Sequence, residues 1–415
     1  MRRLLLALCL LVSSAQAQTD FSSWLRDFEQ EARARGISQR TLDSALGDVQ
    51  VAPRVVDLDR KQPEFVESLT MYIERRVTPQ RVARGQALLS EYRPLFDEVE
   101  KRYGVPRYIL AAFWGLETSY GSAMGNTPIP AALATLAFDG RRSAFFRSQL
   151  LDALTLIEAG HVTAAEMKGS WAGAMGQMQF MPSTYRRYAV DGDNNGQINL
   201  WNSLPDALYS AANYLSQAGW QASQPVALQV ALPANFDWGQ ARLYNRRKVG
   251  EWQAAGVVPN HGRPLPLPDA RAAIILPQGM RGPAFMVFDN FDVVMQWNRS
   301  VQYALSVALL SDQLAGAASL PARTDNADAV GRTQLIRLQQ QLTEMGFDTG
   351  AADGMPGLKT QSAIRRYQTA HGLMADGYPS AALAQHVRQS HAVTMQSGGL
   401  KSTDRAPTFS DPVSE

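Results

Sequence analysis

Residues 104–121 read Gly104-Val-Pro-Arg-Tyr-Ile-Leu-Ala-Ala-Phe-Trp-Gly-Leu-Glu117-Thr-Ser-Tyr-Gly121. Pro106 suits the first turn of a helix, where its missing N–H costs nothing. Gly121 suits the end of one, where a left-handed residue is often needed. Between them Leu110, Phe113 and Glu117 follow i, i+3, i+7 spacing, so a carboxylate shares a face with large apolar side chains. A carboxyl group there is partly desolvated, which disfavours its charged form and raises its pKa. A general acid working near neutral pH needs that shift. The same placement also suits a structural glutamate in an ion pair or hydrogen-bonded network, so this helix alone leaves both readings open.

Working outward, apolar periodicity predicts further helices near 22–35, 39–46, 64–76, 80–103, 144–159, 205–218 and 299–315. Residues 222–298 are richer in Pro, Val and turn signals, and 227–232 and 272–276 are predicted strands of a small β element. Beyond Leu314 the composition changes. Residues 316–329 are small and polar, as in a linker between separately folding units. Residues 330–390 form a second, compact unit, with Leu335, Leu338 and Leu342 on one helical stripe and Ala363, Ile364 and Tyr367 on another. The tail, 391–415, lacks apolar periodicity and is expected to be disordered.

The chain has 415 residues, 45% of them hydrophobic, with 40 basic and 38 acidic side chains. That length suits two or three domains. The balanced charge and the lack of a polybasic tract give no support for a nucleic-acid partner. Met1-Arg2-Arg3, the apolar run Leu4 to Val12 and Ala15-Gln16-Ala17 read as a signal peptide over 1–17, with Gln18 as the mature start. Cys9 is the single cysteine. Lipidation there is disfavoured by Leu8, and the residue leaves with the signal, which excludes disulfides and cysteine-based sites from the mature chain. No later stretch reaches the ~18 apolar residues of a membrane span. A soluble protein exported to the periplasm is expected.

A glycine-rich segment follows the acidic helix: Lys168-Gly-Ser170-Trp-Ala-Gly173-Ala-Met-Gly176-Gln-Met-Gln179-Phe-Met-Pro182-Ser-Thr-Tyr185. Glycines allow close backbone approach. Interleaved Ser, Gln and aromatic residues suit a neutral polyol, since amide side chains both donate and accept hydrogen bonds. No phosphate-loop pattern is present. A packing turn rich in glycine is the competing reading.

Taken together, Trp114-Gly-Leu-Glu117-Thr and GSWAGAMGQMQFMPSTY resemble the lytic transglycosylases, and most closely the lytic murein transglycosylase B family. Further agreement comes from Gln62-Pro-Glu-Phe65, Phe138-Asp-Gly-Arg141-Arg142, Asn199-Leu-Trp201, Ala212-Asn-Tyr214 and Asn298-Arg-Ser300-x-x-Tyr303-Ala, over about residues 20–315. Residues 332–388 resemble a peptidoglycan-binding module. The resemblance implies a mainly α architecture: a lysozyme-like catalytic domain over 18–315 with a small β insertion, plus a small three-helix peptidoglycan-binding domain. It implies cleavage of the β-1,4 bond between N-acetylmuramic acid and N-acetylglucosamine with 1,6-anhydromuramyl ends, Glu117 acting as acid and then base. No cofactor is then required for the chemistry. Peptidoglycan glycan strands are the implied partner, and other cell-wall enzymes are candidate partners. By motif position Ser170, Gln179, Tyr214 and Asn298 line the site, and Tyr72 is a weaker carry-over; Arg141 and Arg142 either meet carboxylates of the peptide stem by bidentate pairing or form an exposed pair at a helix start. The family commonly has Tyr before the Asn-Arg-Ser motif. Here Trp297 removes that hydroxyl, so it is not counted as a hydrogen-bonding site residue. A lysozyme-type hydrolase, or a wall-binding scaffold without catalysis, are the alternatives.

Asp191-Gly-Asp193-Asn-Asn195-Gly196-Gln197-Ile-Asn199 matches the first nine positions of an EF-hand loop. Asp191, Asp193 and Asn195 offer side-chain oxygens and Gln197 a backbone carbonyl. Position 12 is Asn202, not Glu, and Asp206 is the expected substitute, as in the calcium-binding relatives. Structural calcium is therefore the candidate ligand, against an Asx-rich turn without metal. The five His are scattered, which disfavours zinc.

Overall fold

The computed structural model describes residues 20–60, 68–260, 265–266, 268–318 and 330–397. The leader at 1–17, the 62–65 motif and most of the linker lie outside them. The chain is 55% helical with small sheets, the lysozyme-like, mainly α arrangement expected. No helix among the described residues is long and apolar enough to cross a membrane.

The Arg107–Thr118 helix lies at the centre and packs against the Pro79–Glu91 and Val301–Leu314 helices. Leu110, Ala112 and Phe113 are fully buried, each large side chain contributing ~1.5–3 kcal/mol. Close approach there needs glycine. A Cβ at Gly115 would sit 2.7 Å from the Tyr120 ring, and one at Gly85 would sit 2.2 Å from the Tyr120 hydroxyl. That hydroxyl donates to the Arg81 carbonyl at 2.8 Å, tying the end of the central helix to its neighbour.

Two expectations need correction. The single helix over 80–103 is two, Pro79–Glu91 and Arg93–Tyr103, joined at Tyr92. Pro94 has no N–H to continue the first, and its ring would clash with the preceding turn. Short or wholly apolar helices were missed: Pro53–Arg60, Ile129–Phe138, Pro182–Tyr188, Val249–Ala254 and Asp289–Trp297. Ile129–Phe138 is buried on nearly every side, so it has no polar face to create a period.

Two strands, β1 (Thr127–Pro128) and β2 (Lys168–Gly169), pair antiparallel and anchor the start of the glycine-rich segment beside the chain that leaves the central helix. The expected β element is a five-stranded antiparallel sheet. Its strands are β3 (Ala227–Ala231), β4 (Arg247–Lys248), β5 (Val258–Pro259), β6 (Arg271–Ile275) and β7 (Ala284–Val287), in the order β4-β6-β7-β3-β5. Its outer face has a core of its own around Trp252, whose indole N–H donates to the Ala272 carbonyl at 2.9 Å.

The second unit has three helices, Arg332–Glu344, Leu358–Ala370 and Ala381–Ser397. Leu335, Leu338, Leu342, Ile364, Tyr367, Leu383 and Val387 form its core. The last helix runs seven residues past the expected boundary at 390; Tyr367 bonds through its hydroxyl to His386 Nδ1 at 2.8 Å and Ser390 Oγ at 3.0 Å, and His391 Nε2 lies 2.6 Å from Glu344 Oε2 just beyond that boundary. Nor does the unit stand apart. Asp376 Oδ2 accepts from the Met280 amide at 3.1 Å, and Arg365 donates to the Ala241 carbonyl at 2.9 Å. Burial pushes the Arg365 guanidinium down to about 10. Met280 belongs to the turn before β7 and Ala241 to the segment before β4, so the docking surface is the β insertion.

This docking can be read by amide exchange. Asp376→Ala should speed exchange at the Met280 N–H by ~10-fold or more, because a local opening then lacks its closing bond. The Gly354 amide, bonded to Gln339 Oε1 inside the small unit, should be unchanged. An unaltered Met280 rate would mean that the two units do not dock through Asp376.

Candidate active site

Glu117 lies on the last turn of the central helix and is only partly exposed. Its Oε1 accepts two hydrogen bonds, from the Trp297 indole N–H at 2.9 Å and from the Tyr303 hydroxyl at 2.5 Å. Both donors come from the far end of the sequence: Trp297 ends the Asp289–Trp297 helix, and Tyr303 lies in the first turn of the Val301–Leu314 helix. The Trp297 ring stands 4.5 Å from Phe113, 5.0 Å from Tyr214 and 5.3 Å from Phe180, centroid to centroid. Desolvation in this aromatic shell raises the Glu117 pKa. The bonds from Tyr303 and Trp297, and the Arg76 charge, pull against it, but burial prevails. The expected desolvation of the carboxyl group and a hydrogen-bonded network around it are thus both present.

The helix ends under strain. Ser119 has φ 49°, Tyr120 has φ 61° and Gly121 has φ 81°, three left-handed residues in succession. Each of the two non-glycine residues costs ~1–2 kcal/mol. Thr118 offsets part of this. Its buried hydroxyl donates to the Gln177 carbonyl at 2.7 Å and accepts from the Gly121 amide at 2.9 Å. One side chain therefore fixes both the turn after Glu117 and the glycine-rich segment facing it.

In that segment the Ser170 hydroxyl accepts from the Ala174 amide at 3.0 Å, leaving its proton to donate. Gln179 is also left-handed, at φ 50°. Its amide nitrogen donates to the Met124 and Gly176 carbonyls at 3.1 and 3.0 Å. Both N–H bonds are used, so the side chain can offer a ligand only its oxygen, which suits an acetamido N–H or a hydroxyl. Tyr214 closes the aromatic wall on Trp297, with Tyr188 against it at 4.7 Å. Asn298 follows Trp297 in extended conformation and is exposed. Tyr72 lies under the Arg76 guanidinium, 4.1 Å from ring centroid to Cζ.

Arg141 and Arg142 do not contact Glu117. Both pair with the buried Asp59, Arg141 at 3.4 Å and Arg142 more closely. They remain about half exposed (45% and 52%), so the guanidinium edges turned to solvent can still meet an anion.

In the acidic loop, carboxylate oxygens of Asp191, Asp193 and Asp206 lie within 4.8 Å of one another. Asp206 is fully buried. Burial raises its pKa, and the Asp193 charge adds to this against the bonds from the Asn199 and Gly192 amides. Asn195 Oδ1 accepts from the Gln197 amide at 2.8 Å. Converging oxygens only, with like charges facing, fit a hard cation such as calcium.

Sequence reasoning missed three site groups. Trp297 was set aside for lacking a hydroxyl, yet its N–H makes the bond; the side chain changed but a donor stayed in reach. Tyr303 was quoted within a motif but given no role. Arg76, four residues from Tyr72 and so on the same helical face, had no sequence signal beyond that spacing.

Comparison with known proteins agrees with this geometry. Residues 20–312 match the transglycosylase SLT domain family, and residues 331–386 match a peptidoglycan binding domain family. The chain is 33% identical over 250 residues to the membrane-bound lytic murein transglycosylase B of Escherichia coli (strain K12). That alignment spans 59% of this chain and 66% of the relative, just under two thirds of its length. SltB3 of Pseudomonas aeruginosa, solved in complex with NAG-anhNAM-pentapeptide, is 46% identical with a TM-score of 0.85, over 89% of this chain and 99% of that one. Escherichia coli SLT35, solved in complex with calcium, is 30% identical with a TM-score of 0.61, over 70% and 92%. Since the family match runs from the first described helix to the one that carries Tyr303, the chain belongs to the transglycosylase SLT domain family, as a lytic transglycosylase of the murein transglycosylase B type with a C-terminal peptidoglycan-binding domain.

Proposed function

We propose that the chain cleaves the β-1,4 bond between N-acetylmuramic acid and N-acetylglucosamine in peptidoglycan, with Glu117 as the single catalytic carboxyl group. The carrying observation is the desolvated Glu117 carboxyl, on which the acting charge is the cation Arg76 and, among the described residues, no second carboxylate. Hydrolytic glycosidases usually need two carboxyl groups. One suffices when the nucleophile is the substrate's own hydroxyl.

Protonated Glu117 gives its proton to the glycosidic oxygen as the bond from muramyl C1 to that oxygen breaks. The glucosamine leaves with a new hydroxyl. The C6 hydroxyl of the same muramyl residue then bonds to C1, and its proton passes to the Glu117 carboxylate. The product ends in a 1,6-anhydro ring and Glu117 is again protonated. Ser170 and the Gln179 oxygen receive sugar hydroxyl or acetamido groups, Tyr214 and Asn298 complete the wall, and Tyr72 lies beside Arg76 at its edge. The outward edges of Arg141 and Arg142 meet carboxylates of the peptide stem. The small domain holds glycan strands, and the chain works in the periplasm after export on its leader.

Calcium, when bound, supplies positive charge between Asp191, Asp193 and Asp206, with Asn195 and the Gln197 carbonyl completing the set. Its role is structural. The Leu200 carbonyl just beyond the loop accepts from the Gln177 amide at 2.8 Å, so the loop braces the segment that carries Gln179. The bracing contact is further supported by the Trp201 indole donating to the Lys168 carbonyl at 2.7 Å.

Two expectations follow. Glu117→Gln should lower cleavage of purified sacculi by ~10²–10⁴-fold while binding persists, and mass spectrometry of wild-type products should show anhydro rather than reducing ends. Because the folded-state pKa of Glu117 is raised, the wild type keeps this residue's stability below the ordinary carboxyl range and loses it as pH rises through the raised value. The glutamine variant should thus melt no lower than wild type, with a gap that widens as pH rises above the ordinary carboxyl range at about 4. A variant with more than about a tenth of wild-type rate would remove Glu117 from its role, given the size of an acid–base contribution. For calcium, stabilisation by mass action is ~2.7 kcal/mol at a hundredfold excess over the dissociation constant. Millimolar calcium should therefore raise the melting temperature over chelator in wild type but not in Asp191→Ala. Indifference in wild type would sink the site, and a shift that persists in Asp191→Ala would place the ion elsewhere.

A further inference from the structure

The two oxygens of Glu117 are held differently. Oε1 receives both the Trp297 indole at 2.9 Å and the Tyr303 hydroxyl at 2.5 Å. Oε2 takes no hydrogen bond from the described residues. A carboxyl oxygen that accepts two donors has both lone-pair directions engaged and is the poorer place for a proton. An indole nitrogen, moreover, donates only, whereas a hydroxyl both donates and accepts. Tyr303 could turn its proton away if Oε1 were protonated, but Trp297 cannot. Nor can the indole swing aside, because Phe113, Phe180 and Tyr214 pack around its ring at 4.5, 5.3 and 5.0 Å.

We propose that Trp297 is a positioning residue that, with Tyr303, fixes Oε1 as a permanent acceptor and so makes Oε2 the oxygen that delivers and recovers the proton. This deepens the reading of Glu117 as the catalytic carboxyl group and rests on it. In the acid step Oε1 is the carbonyl oxygen and the Oε2–H bond breaks toward the glycosidic oxygen. In the base step the C6 hydroxyl proton returns to Oε2. The two donors stay in place throughout, so nothing must rotate between the half-reactions.

The groups that face Glu117 define what else could respond to pH. They are Tyr72 and Arg76 from the Leu69–Arg76 helix, Tyr303 from the Val301–Leu314 helix, and Tyr214 beyond the indole. Tyr303 and Tyr214 are pushed up by burial. Glu117 is also raised by burial, from the much lower carboxyl range.

The test uses the full chain on a soluble glycan, with kcat/KM followed against pH. Trp297→Phe keeps an aromatic ring and removes the donor. Losing a bond that favours the carboxylate raises the Glu117 pKa, so the alkaline limb should move up by ~0.5–1 pH unit. The plateau should fall ~10-fold, since one bond to a charged group is lost. Trp297→Tyr, which returns a donor, should recover most of both. A lower plateau with an unmoved limb would overturn the proposal, leaving Trp297 as packing only. A second readout leaves Trp297 intact. In ¹⁵N-tryptophan-labelled wild type, the Trp297 indole N–H should titrate with the midpoint of the alkaline limb and should not titrate in Glu117→Gln. An indole resonance that is silent in wild type would also overturn it. An active Glu117→Gln enzyme would instead remove the underlying reading of Glu117, so the two failures are distinguishable.

Discussion

The role proposed for Glu117 asks two opposed things of this side chain. It must hold a proton near neutral pH, which asks for an environment that penalises charge. It must then survive as a carboxylate long enough to recover a proton, which asks for groups that favour charge. The chain places both in one shell. Phe113, Phe180 and the Trp297 ring exclude water, while the Trp297 N–H, the Tyr303 hydroxyl and the Arg76 cation favour the charged form. Burial prevails, so the protonated form is favoured relative to an ordinary glutamate, and the donors act against that shift. Removing either side would leave a glutamate that is ordinary or one that does not ionise.

Such a balance depends on placement to a fraction of an ångström, and the fold supplies it through tight, strained connections. The run Ser119, Tyr120, Gly121 turns the chain sharply after Glu117. That turn stays folded because Thr118 bonds to the Gln177 carbonyl and the Gly121 amide, and because Tyr120 fills the space between Gly85 and Gly115. Gln177 in turn donates through its side chain to the Trp201 carbonyl at 3.3 Å. A continuous set of hydrogen bonds thus links the acidic loop, the glycine-rich segment and the end of the central helix. Strain at a functional site persists only when its surroundings over-determine it, and these bonds are what over-determine it.

The docking of the small domain follows similar physics. Gly377, at φ 74°, leaves room for the Arg365 side chain, and a Cβ there would lie 2.7 Å from its guanidinium carbon. Gly279 is likewise left-handed, and a Cβ on it would meet Asp376 Oδ2 at 2.7 Å. Two glycines on opposite sides of the contact thus let a buried cation and a carboxylate reach backbone groups of the partner surface. A composition-based reading of 316–329 sees only small polar residues and infers separate units. It cannot see a contact made by residues 241, 280, 365 and 376.

Local signals carried the fold class and the desolvated placement of Glu117: apolar periodicity for the amphipathic helices, Pro106 for the start of the central one, and the face shared by Leu110, Phe113 and Glu117. Signals failed where the cause was not local. Ile129–Phe138 has no period because tertiary burial surrounds it, and Pro94 divides a stretch whose apolar spacing runs on. Trp297 is the sharpest case. The inference that a missing hydroxyl means a missing hydrogen bond treats a residue type as if it were a function. What the carboxyl group needs is a donor at a given point, and an indole N–H carried there on a packed ring meets that need. It differs from a hydroxyl in one respect that sequence comparison alone would not rank: it cannot accept. In the proton transfer proposed for Glu117, that restriction both preserves the interaction and reserves Oε2 for the proton.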